Sequence, residues 1–263
     1  MRARAVQDGL QEIRRTFAPI LHDSAHDVLE DAAARLSTFI RGKERKAAPV
    51  WGYRLSAAAP LRFKPTDVNE LGHKVWVDVY CSVRWSEADA LPFEQDIKIR
   101  VWSKDDAYLH SFERKAFEET PTEKLDPSIA SVIDRMSADD PISGRVIYRC
   151  HFDKANKKQA GPTYHLQFGG APEVDELCWL PKIISLPRLV HSPYDLILTC
   201  ELVASNFYLK EYEDIKKETT WMSVLRQSQA NQLIGYYRGC LDALENSDRE
   251  GRGSLLLDHL WNK

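Results

Sequence analysis

Two histidines in neighbouring segments are the residues best suited to chemistry in this sequence. The segment 148–153 is Tyr-Arg-Cys-His-Phe-Asp, and 163–170 is Thr-Tyr-His-Leu-Gln-Phe-Gly-Gly after a short, partly basic turn. Alternation of apolar and polar residues predicts two β-strands joined as a hairpin with one polar face. The polar face has four candidate catalytic residues: His151, Asp153, His165 and Gln167. Such a face could cleave a phosphodiester, bind a phosphate or form a structural cluster of hydrogen bonds.

Paired histidines can divide the roles of general base and general acid when one is neutral and the other protonated. His151 and His165 would lie on adjacent strands and could share a substrate if the strand register placed them opposite each other. Asp153 and Gln167 would then orient the rings or the scissile group. The competing interpretation is that both histidines only hydrogen-bond into loops or helices.

A metal site is the less favoured interpretation of the same residues. His151, Asp153 and His165 would form a histidine-rich ligand set with one carboxylate, and His191 is the only further ligand nearby. No His-x-x-x-His or Cys-x-x-Cys spacing supports such a site, and Gly169-Gly170 lacks the rest of a phosphate-binding loop. We therefore expect no metal and no other cofactor.

Asp78, Asp96 and Lys98 resemble the acidic residue and Asp/Glu-x-Lys arrangement of restriction-type nucleases, which use carboxylates for Mg²⁺ and a lysine for the attacking water. Cross-strand charge pairing on an amphipathic hairpin explains these residues more simply. The same face presents large rings, which would serve stacking or partner binding unless a helix covers them. The candidate partner-binding residues on this face are Trp76, Tyr80, Lys98, Arg100 and Trp102.

Composition limits the class of protein. With 263 residues, 43% hydrophobic and 29% charged, the chain can bury a substantial core. A net charge of −3 provides no global positive field for sequence-independent nucleic-acid binding, so any such binding would use a local patch. The five cysteines are odd in number and widely spaced, which argues against a disulfide framework. The sequence contains no apolar run of about 18 residues and no secretory signal, so we expect a cytoplasmic protein without membrane contact.

The periodicity of apolar residues predicts an α+β fold, with an antiparallel sheet of five to seven strands, N-terminal helices and a C-terminal helical layer. Helical spacing changes to strand spacing at about Val50. A less regular strand is predicted over 108–117, and a short helix is predicted to start at Asp126. The predicted organisation is a helical extension over 1–46, an α+β core over 47–246 and a flexible tether with an apolar tail over 247–263.

Two helices are predicted in the C-terminal half of the core. Ser192 and Pro193 suit the start of the first, which is apolar almost all round and is predicted to be the central buried helix. The second is predicted from about Lys217 to Leu244. Its inner side is predicted to include Leu233, Tyr237, Leu241 and Leu244. The apolar tail that follows is predicted to dock on its own domain, or alternatively in a partner's groove.

Several short motifs between about 145 and 210 resemble the core of a group of uncharacterised bacterial proteins that accompany mobile-element and phage-defence loci. The motifs are His151-Phe-Asp153, His165-Leu-Gln-Phe-Gly169, Pro187-Arg188, the capped helix from Pro193 and Ser205-Asn-Phe-Tyr208. The resemblance implies a bacterial cytosolic protein and a defence context, and it implies no established activity. It also adds Arg188 to the polar cluster as a candidate anion-binding residue.

Two functional hypotheses from different classes follow. The first is a non-catalytic subunit or adaptor, in a bacterial anti-phage defence system, that binds a protein partner, a second copy of itself or nucleic acid through the sheet face and the helical ends. The alternative is a metal-independent RNase-type nuclease or toxin. Its catalytic residues would be His151, His165, Asp153, Gln167 and Arg188. The sequence leaves open whether the protein is an enzyme.

Overall fold

The fold is known from a computed structural model, which describes residues 2–42, 50–67, 74–86, 92–103, 145–155, 161–169, 188–250 and 260–262. The strands are β1 (Val50–Leu55), β2 (Leu61–Arg62), β3 (Trp76–Ser86), β4 (Glu94–Ser103), β5 (Arg145–Lys154), β6 (Gly161–Pro162), β7 (Tyr164–Phe168), β8 (Leu189–Val190) and β9 (Trp261–Asn262). The helices are α1 (Arg2–Thr16), α2 (Asp23–Gly42), α3 (Leu196–Phe207), α4 (Leu209–Ile215), α5 (Thr219–Gln229) and α6 (Gly235–Glu250).

One seven-stranded antiparallel sheet organises the described part of the chain. Its strand order is β1-β3-β4-β5-β7-β8, and β2 pairs with β3 beside β1. The predicted α+β class, strand number and flanking helices are therefore confirmed. The strand predicted over 108–117 and the helix predicted from Asp126 lie outside the described residues.

The apolar face of the sheet forms the core with the helices. Alternate residues of β3, among them Val77, Val79 and Val83, are fully buried and share one apolar cluster with residues of α1, α2 and α3. Gly9 allows α1 to approach α3 closely, because a Cβ atom at that position would lie 2.8 Å from the Cδ1 atom of Ile197. The opposite face of the sheet is left to polar and aromatic side chains.

Helix α3 is buried as predicted, but its start differs from the prediction. Half of its twelve residues are buried. The N-cap is Asp195 rather than Ser192, because the backbone of Asp195 is extended and its Oδ1 atom accepts a hydrogen bond of 2.9 Å from the Leu198 amide. Pro193 therefore precedes the helix. Aspartate satisfies an otherwise unpaired N–H at this position as well as serine does.

The last predicted helix is interrupted. A π-helical segment, Ala230–Ile234, separates α5 from α6, and its wider turn changes the face that the following residues present. The prediction that Tyr237, Leu241 and Leu244 face inward is wrong, since these side chains are between 48% and 57% exposed. Among the described residues, no helix has the length and apolar content needed to cross a bilayer.

The end of the chain returns to the body of the protein. Strand β9 pairs with β6, and the Thr163 amide donates a hydrogen bond of 2.6 Å to the carbonyl oxygen of Leu260. The described part of the tail therefore docks on its own chain, next to the hairpin that contains the two histidines.

Candidate functional site

Strands β4, β5 and β7 bring a row of polar side chains together on one face of the sheet. Asp96 pairs with Asp153, and Lys98 pairs with His151, across β4 and β5. On the other side of β5, Asp153 pairs with His165 and His151 pairs with Gln167. These six residues, with the nearby Arg188, are called the polar row below. The sequence predicted the shared face but could not give this register.

The two histidines are diagonal neighbours rather than a facing pair. His165 is opposite Asp153, two residues along β5 from His151. The register therefore does not place His151 and His165 opposite each other, which was the condition for a shared substrate. Asp153 lies between them, with its Oδ2 atom 3.9 Å from the Nδ1 atom of His151 and 4.0 Å from the Nε2 atom of His165.

Asp96, His151 and Asp153 form a candidate cation site. Each offers one ligand atom, and these atoms lie within 4.8 Å of one another. Donor atoms about 2.1 Å from a common cation can be at most about 4.2 Å apart, so side-chain movements of about 1 Å would close the group. The histidine-rich set with His165 does not form such a group among the described residues. Asp96 takes its place.

The carboxyl group of Asp153 keeps its proton at neutral pH. Burial raises the pKa of its carboxyl group to about 8, and the negative charge of Asp96 and a hydrogen bond with it act in the same direction. The positive charges of Lys98 and Arg188 oppose these effects. Two carboxylates on directly paired residues repel each other when both are ionised, which costs free energy. A bound divalent cation would remove that penalty.

Burial also determines the state of the two histidines. It lowers the pKa of His151 to about 4, and the positive charge of Lys98 adds to this effect. Burial likewise lowers the pKa of His165, whose Nδ1 atom lies 3.2 Å from the carbonyl oxygen of Pro162. A carbonyl oxygen only accepts, so Nδ1 of His165 donates and Nε2, which faces Asp153, is unprotonated in the neutral ring. Both rings are therefore neutral at neutral pH, the state in which imidazole binds a metal.

Three polar atoms in the cluster have no hydrogen-bond partner among the described residues. They are Oδ1 of Asp96, Nε2 of His151 and Oδ1 of Asp153. Buried polar atoms are nearly always satisfied, so an unpaired set of this kind indicates a position for a ligand, an ion or water. All three belong to the residues of the candidate cation site.

The positive charges of the polar row come from Lys98 and Arg188. The Nζ atom of Lys98 is 2.8 Å from Oδ2 of Asp96, and its side chain is mostly buried. Arg188 lies close enough to influence both Asp153 and His165 electrostatically. Gln167 lies on the same face, opposite His151, and is partly buried.

Asp78 does not belong to the polar row. Ser82 pairs with Asp96, so Asp78 is four residues away along β3, about 13 Å at 3.3 Å per residue. Its fully buried carboxylate accepts hydrogen bonds from Arg62 at 2.8 and 3.0 Å, from Arg100 at 2.6 Å and from the Trp102 indole at 3.0 Å. Asp78 is thus the centre of a structural ion network, as the charge-pairing interpretation predicts, while Asp96 and Lys98 lie elsewhere.

The rings proposed as an exposed partner-binding surface are largely covered. Tyr80 and Trp102 are buried, and Trp76 is half-buried with its ring stacked on Trp102 at 5.1 Å. The Arg62 guanidinium also lies over the Trp102 ring, at 5.1 Å. The expectation that these rings are exposed is therefore wrong for two of them. For Tyr80 and Trp102 the alternative interpretation holds, in which this face of the sheet is covered.

Lys98 and Arg100, offered with those rings as partner-binding residues, are also mostly covered. Each lies beside a carboxylate, Lys98 beside Asp96 at 2.8 Å and Arg100 beside Asp78 at 2.6 Å. His191, the further metal ligand considered, is not near the cluster. Its ring contacts Phe152, whose side chain is on the opposite, apolar face of β5.

Sequence reasoning missed the pairing of Asp96 with Asp153. Each residue falls in the polar phase of its strand, which is the signal that the sequence offers. The sequence does not show the register, because β4 and β5 are separated by a long segment and no short turn relates them. No protein-family model, no curated protein and no solved structure matches this chain.

Proposed function

We propose that this protein is a divalent-cation-dependent phosphodiesterase that cleaves nucleic acid. The observation that supports this most is the group formed by Asp96, His151 and Asp153, with ligand atoms within 4.8 Å, beside the ammonium group of Lys98. Two carboxylates and one imidazole suit Mn²⁺ or a similar cation. A cation there would polarise a phosphoryl oxygen and lower the pKa of a bound water.

The chain's own residues would supply the remaining functions. Lys98 keeps the Asp96 carboxylate in place and provides a positive charge next to the position of the phosphoryl group. Arg188 adds a second positive charge beside Asp153 and can neutralise the charge that develops on the phosphate. An anionic phosphodiester is therefore the substrate class that the row suits. Because the whole chain has a net charge of −3, attraction of nucleic acid would be confined to this patch.

The metal-independent histidine mechanism is the less favoured alternative. It needs one protonated imidazole as general acid, and burial lowers the pKa of both His151 and His165. The diagonal placement of the rings adds to this difficulty. The adaptor hypothesis loses the exposed rings on which its sheet surface depended. A role in bacterial anti-phage defence stays a prediction that depends on the resemblance alone.

A nuclease assay separates these alternatives. The purified protein is incubated with RNA, single-stranded DNA and double-stranded DNA in the presence of Mn²⁺, Mg²⁺ or a chelator. We expect cleavage only with a divalent cation, and a loss of at least about 100-fold in Asp96→Asn and in Asp153→Asn. Lys154→Met is the matched control, because Lys154 is adjacent to Asp153 but contacts the Tyr164 ring and the Pro92 carbonyl oxygen instead.

The outcomes distinguish the three functions. Cleavage that persists in chelator and disappears in His151→Ala and His165→Ala would support the histidine mechanism and overturn the proposal. No cleavage of any substrate under any condition would overturn both nuclease mechanisms and leave the adaptor as the favoured hypothesis.

A further inference from the structure

We infer that the exposed face of α5 and α6 is a homodimer interface, in which the helix packs antiparallel against the same helix of a second copy. The face is an apolar stripe that crosses the π-helical segment. Ile234, Tyr237 and Leu241 are 46%, 57% and 53% exposed. Large apolar side chains scattered singly on a surface are ordinary, whereas a continuous row of them marks an interaction surface.

The stripe is also a shallow, open groove. It has a volume of about 660 Å³ and is lined by one continuous set of residues from α5, the π-helical segment and α6. The set is Arg226, Gln229, Ala230, Leu233, Ile234, Tyr237, Arg238 and Leu241. Its spacing of three and four residues places all of these on one side of the helix, which is the arrangement that accepts the ridge of another helix.

Charge complementarity identifies the second copy as the occupant. The stripe has the exposed Arg226 at its N-terminal end and the exposed Glu245 four residues beyond Leu241. Neither charge forms an ion pair with another residue in the described ranges. An antiparallel copy brings each Arg226 beside the Glu245 of the other chain. A parallel copy would bring like charges together, so only one orientation is favourable.

The same two-fold axis also matches the apolar residues. An axis between residues 235 and 236 that pairs position 226 with 245 also pairs Ala230 with Leu241 and Ile234 with Tyr237. A small side chain, Ala230, therefore faces a large one, Leu241, near each end of the contact. Two large side chains, Ile234 and Tyr237, face each other near its centre. A surface that is complementary to itself about one axis is what an isologous dimer requires. The contact would extend over about 28 Å of helix at 1.5 Å per residue.

The test measures the oligomeric state in solution by sedimentation velocity across a concentration series up to about 100 µM. We expect a reversible dimer for the parent chain, and at least a tenfold weaker dimer for Leu241→Glu, whose side chain is already more than half exposed and so tolerates the change without unfolding. Circular dichroism melting of each variant confirms that the fold is intact.

A charge exchange tests the orientation. Arg226→Glu and Glu245→Arg should each weaken the dimer by about tenfold, because each places like charges together twice, and the double variant should restore it. A parent chain that stays monomeric overturns the inference. So does a dimer that Leu241→Glu leaves unchanged, or one that the double charge exchange fails to restore. The contact uses no residue of the polar row, so this result is independent of the nuclease assay.

Discussion

Asp96 and Asp153 occupy directly opposite positions on the antiparallel strands β4 and β5. Side chains at such positions have Cβ atoms about 5 Å apart, and two like charges there oppose each other. Asp78 with Arg100 is a complementary cross-strand pair in the same sheet, and Arg100 with Arg149 is a second like-charge pair. Protonation of Asp153 and the ammonium group of Lys98 reduce the repulsion in this partly buried pair, and the proposed divalent cation would compensate it when Asp153 is ionised.

The affinity for a divalent cation should increase with pH. Burial and the charge of Asp96 raise the pKa of Asp153 to about 8, so below that pH a proton competes with the cation for the carboxylate. We expect the apparent affinity for Mn²⁺ to increase by about tenfold per pH unit from about pH 6 to about pH 8, and then to level off. Calorimetric titration across this range checks the expectation. An affinity that is flat over the range would contradict it.

Lys98 should be needed for cleavage more than for cation binding. Its ammonium group contacts Asp96 but is not a ligand, so Lys98→Met should reduce cleavage by about 100-fold and change Mn²⁺ affinity by less than about tenfold. Parallel measurement of cleavage and Mn²⁺ binding separates the two effects. Equal losses in both would show that Lys98 only positions the carboxylate.

Asp78 should be essential for stability. Asp78→Asn leaves the guanidinium groups of Arg62 and Arg100 without their buried carboxylate, which should lower the free energy of unfolding by about 3–5 kcal/mol. The control is Glu94→Gln, because the ion pair of Glu94 with Arg84 is about half exposed and should contribute less than about 1 kcal/mol. Urea denaturation measures both. Similar losses in the two variants would contradict the structural role of Asp78.

Asp195 should stabilise the start of α3. It accepts hydrogen bonds of 2.9 Å from the Leu198 amide and 2.6 Å from the Ser228 hydroxyl. Asp195→Ala should therefore lower the free energy of unfolding by about 3 kcal/mol, from the lost cap and the unpaired hydroxyl. Asp195→Asn keeps an acceptor for the helix amide and should lose less. Equal losses in the two variants would show that the cap does not matter.

The same pair of variants gives a pH dependence. Burial raises the pKa of Asp195, so the folded state holds its proton more tightly than the unfolded state does. The contribution of this group to stability is therefore present at low pH and is lost as the pH rises from about 4 through the folded-state pKa. Relative to the parent chain, Asp195→Asn should gain stability over that range. A constant difference would contradict the direction of the shift.

The sequence predicts the class of fold and which residues lie on each face of the sheet. It can do so because apolar and polar residues alternate with a period of two within each strand, as in β3 and β5. It does not predict which residues meet across strands. His151 and His165 are close in sequence, yet their separation depends on the hairpin register. Asp96 is far from Asp153 in sequence and lies opposite it. The exposed side of α6 was also missed, since the π-helical segment shifts the face in a way that a constant helical period cannot show.

The most direct test of the account is calorimetric titration of the metal-free protein with Mn²⁺ near pH 8, where proton competition is smallest. We predict one bound ion per chain for the parent protein, and a loss of at least about 100-fold in affinity for Asp96→Asn and for Asp153→Asn. Glu94→Gln, which removes a carboxylate two residues from Asp96 on the same strand, should bind like the parent. Absence of binding by the parent, or an affinity of Asp96→Asn and Asp153→Asn equal to that of the parent, would contradict the proposed cation site.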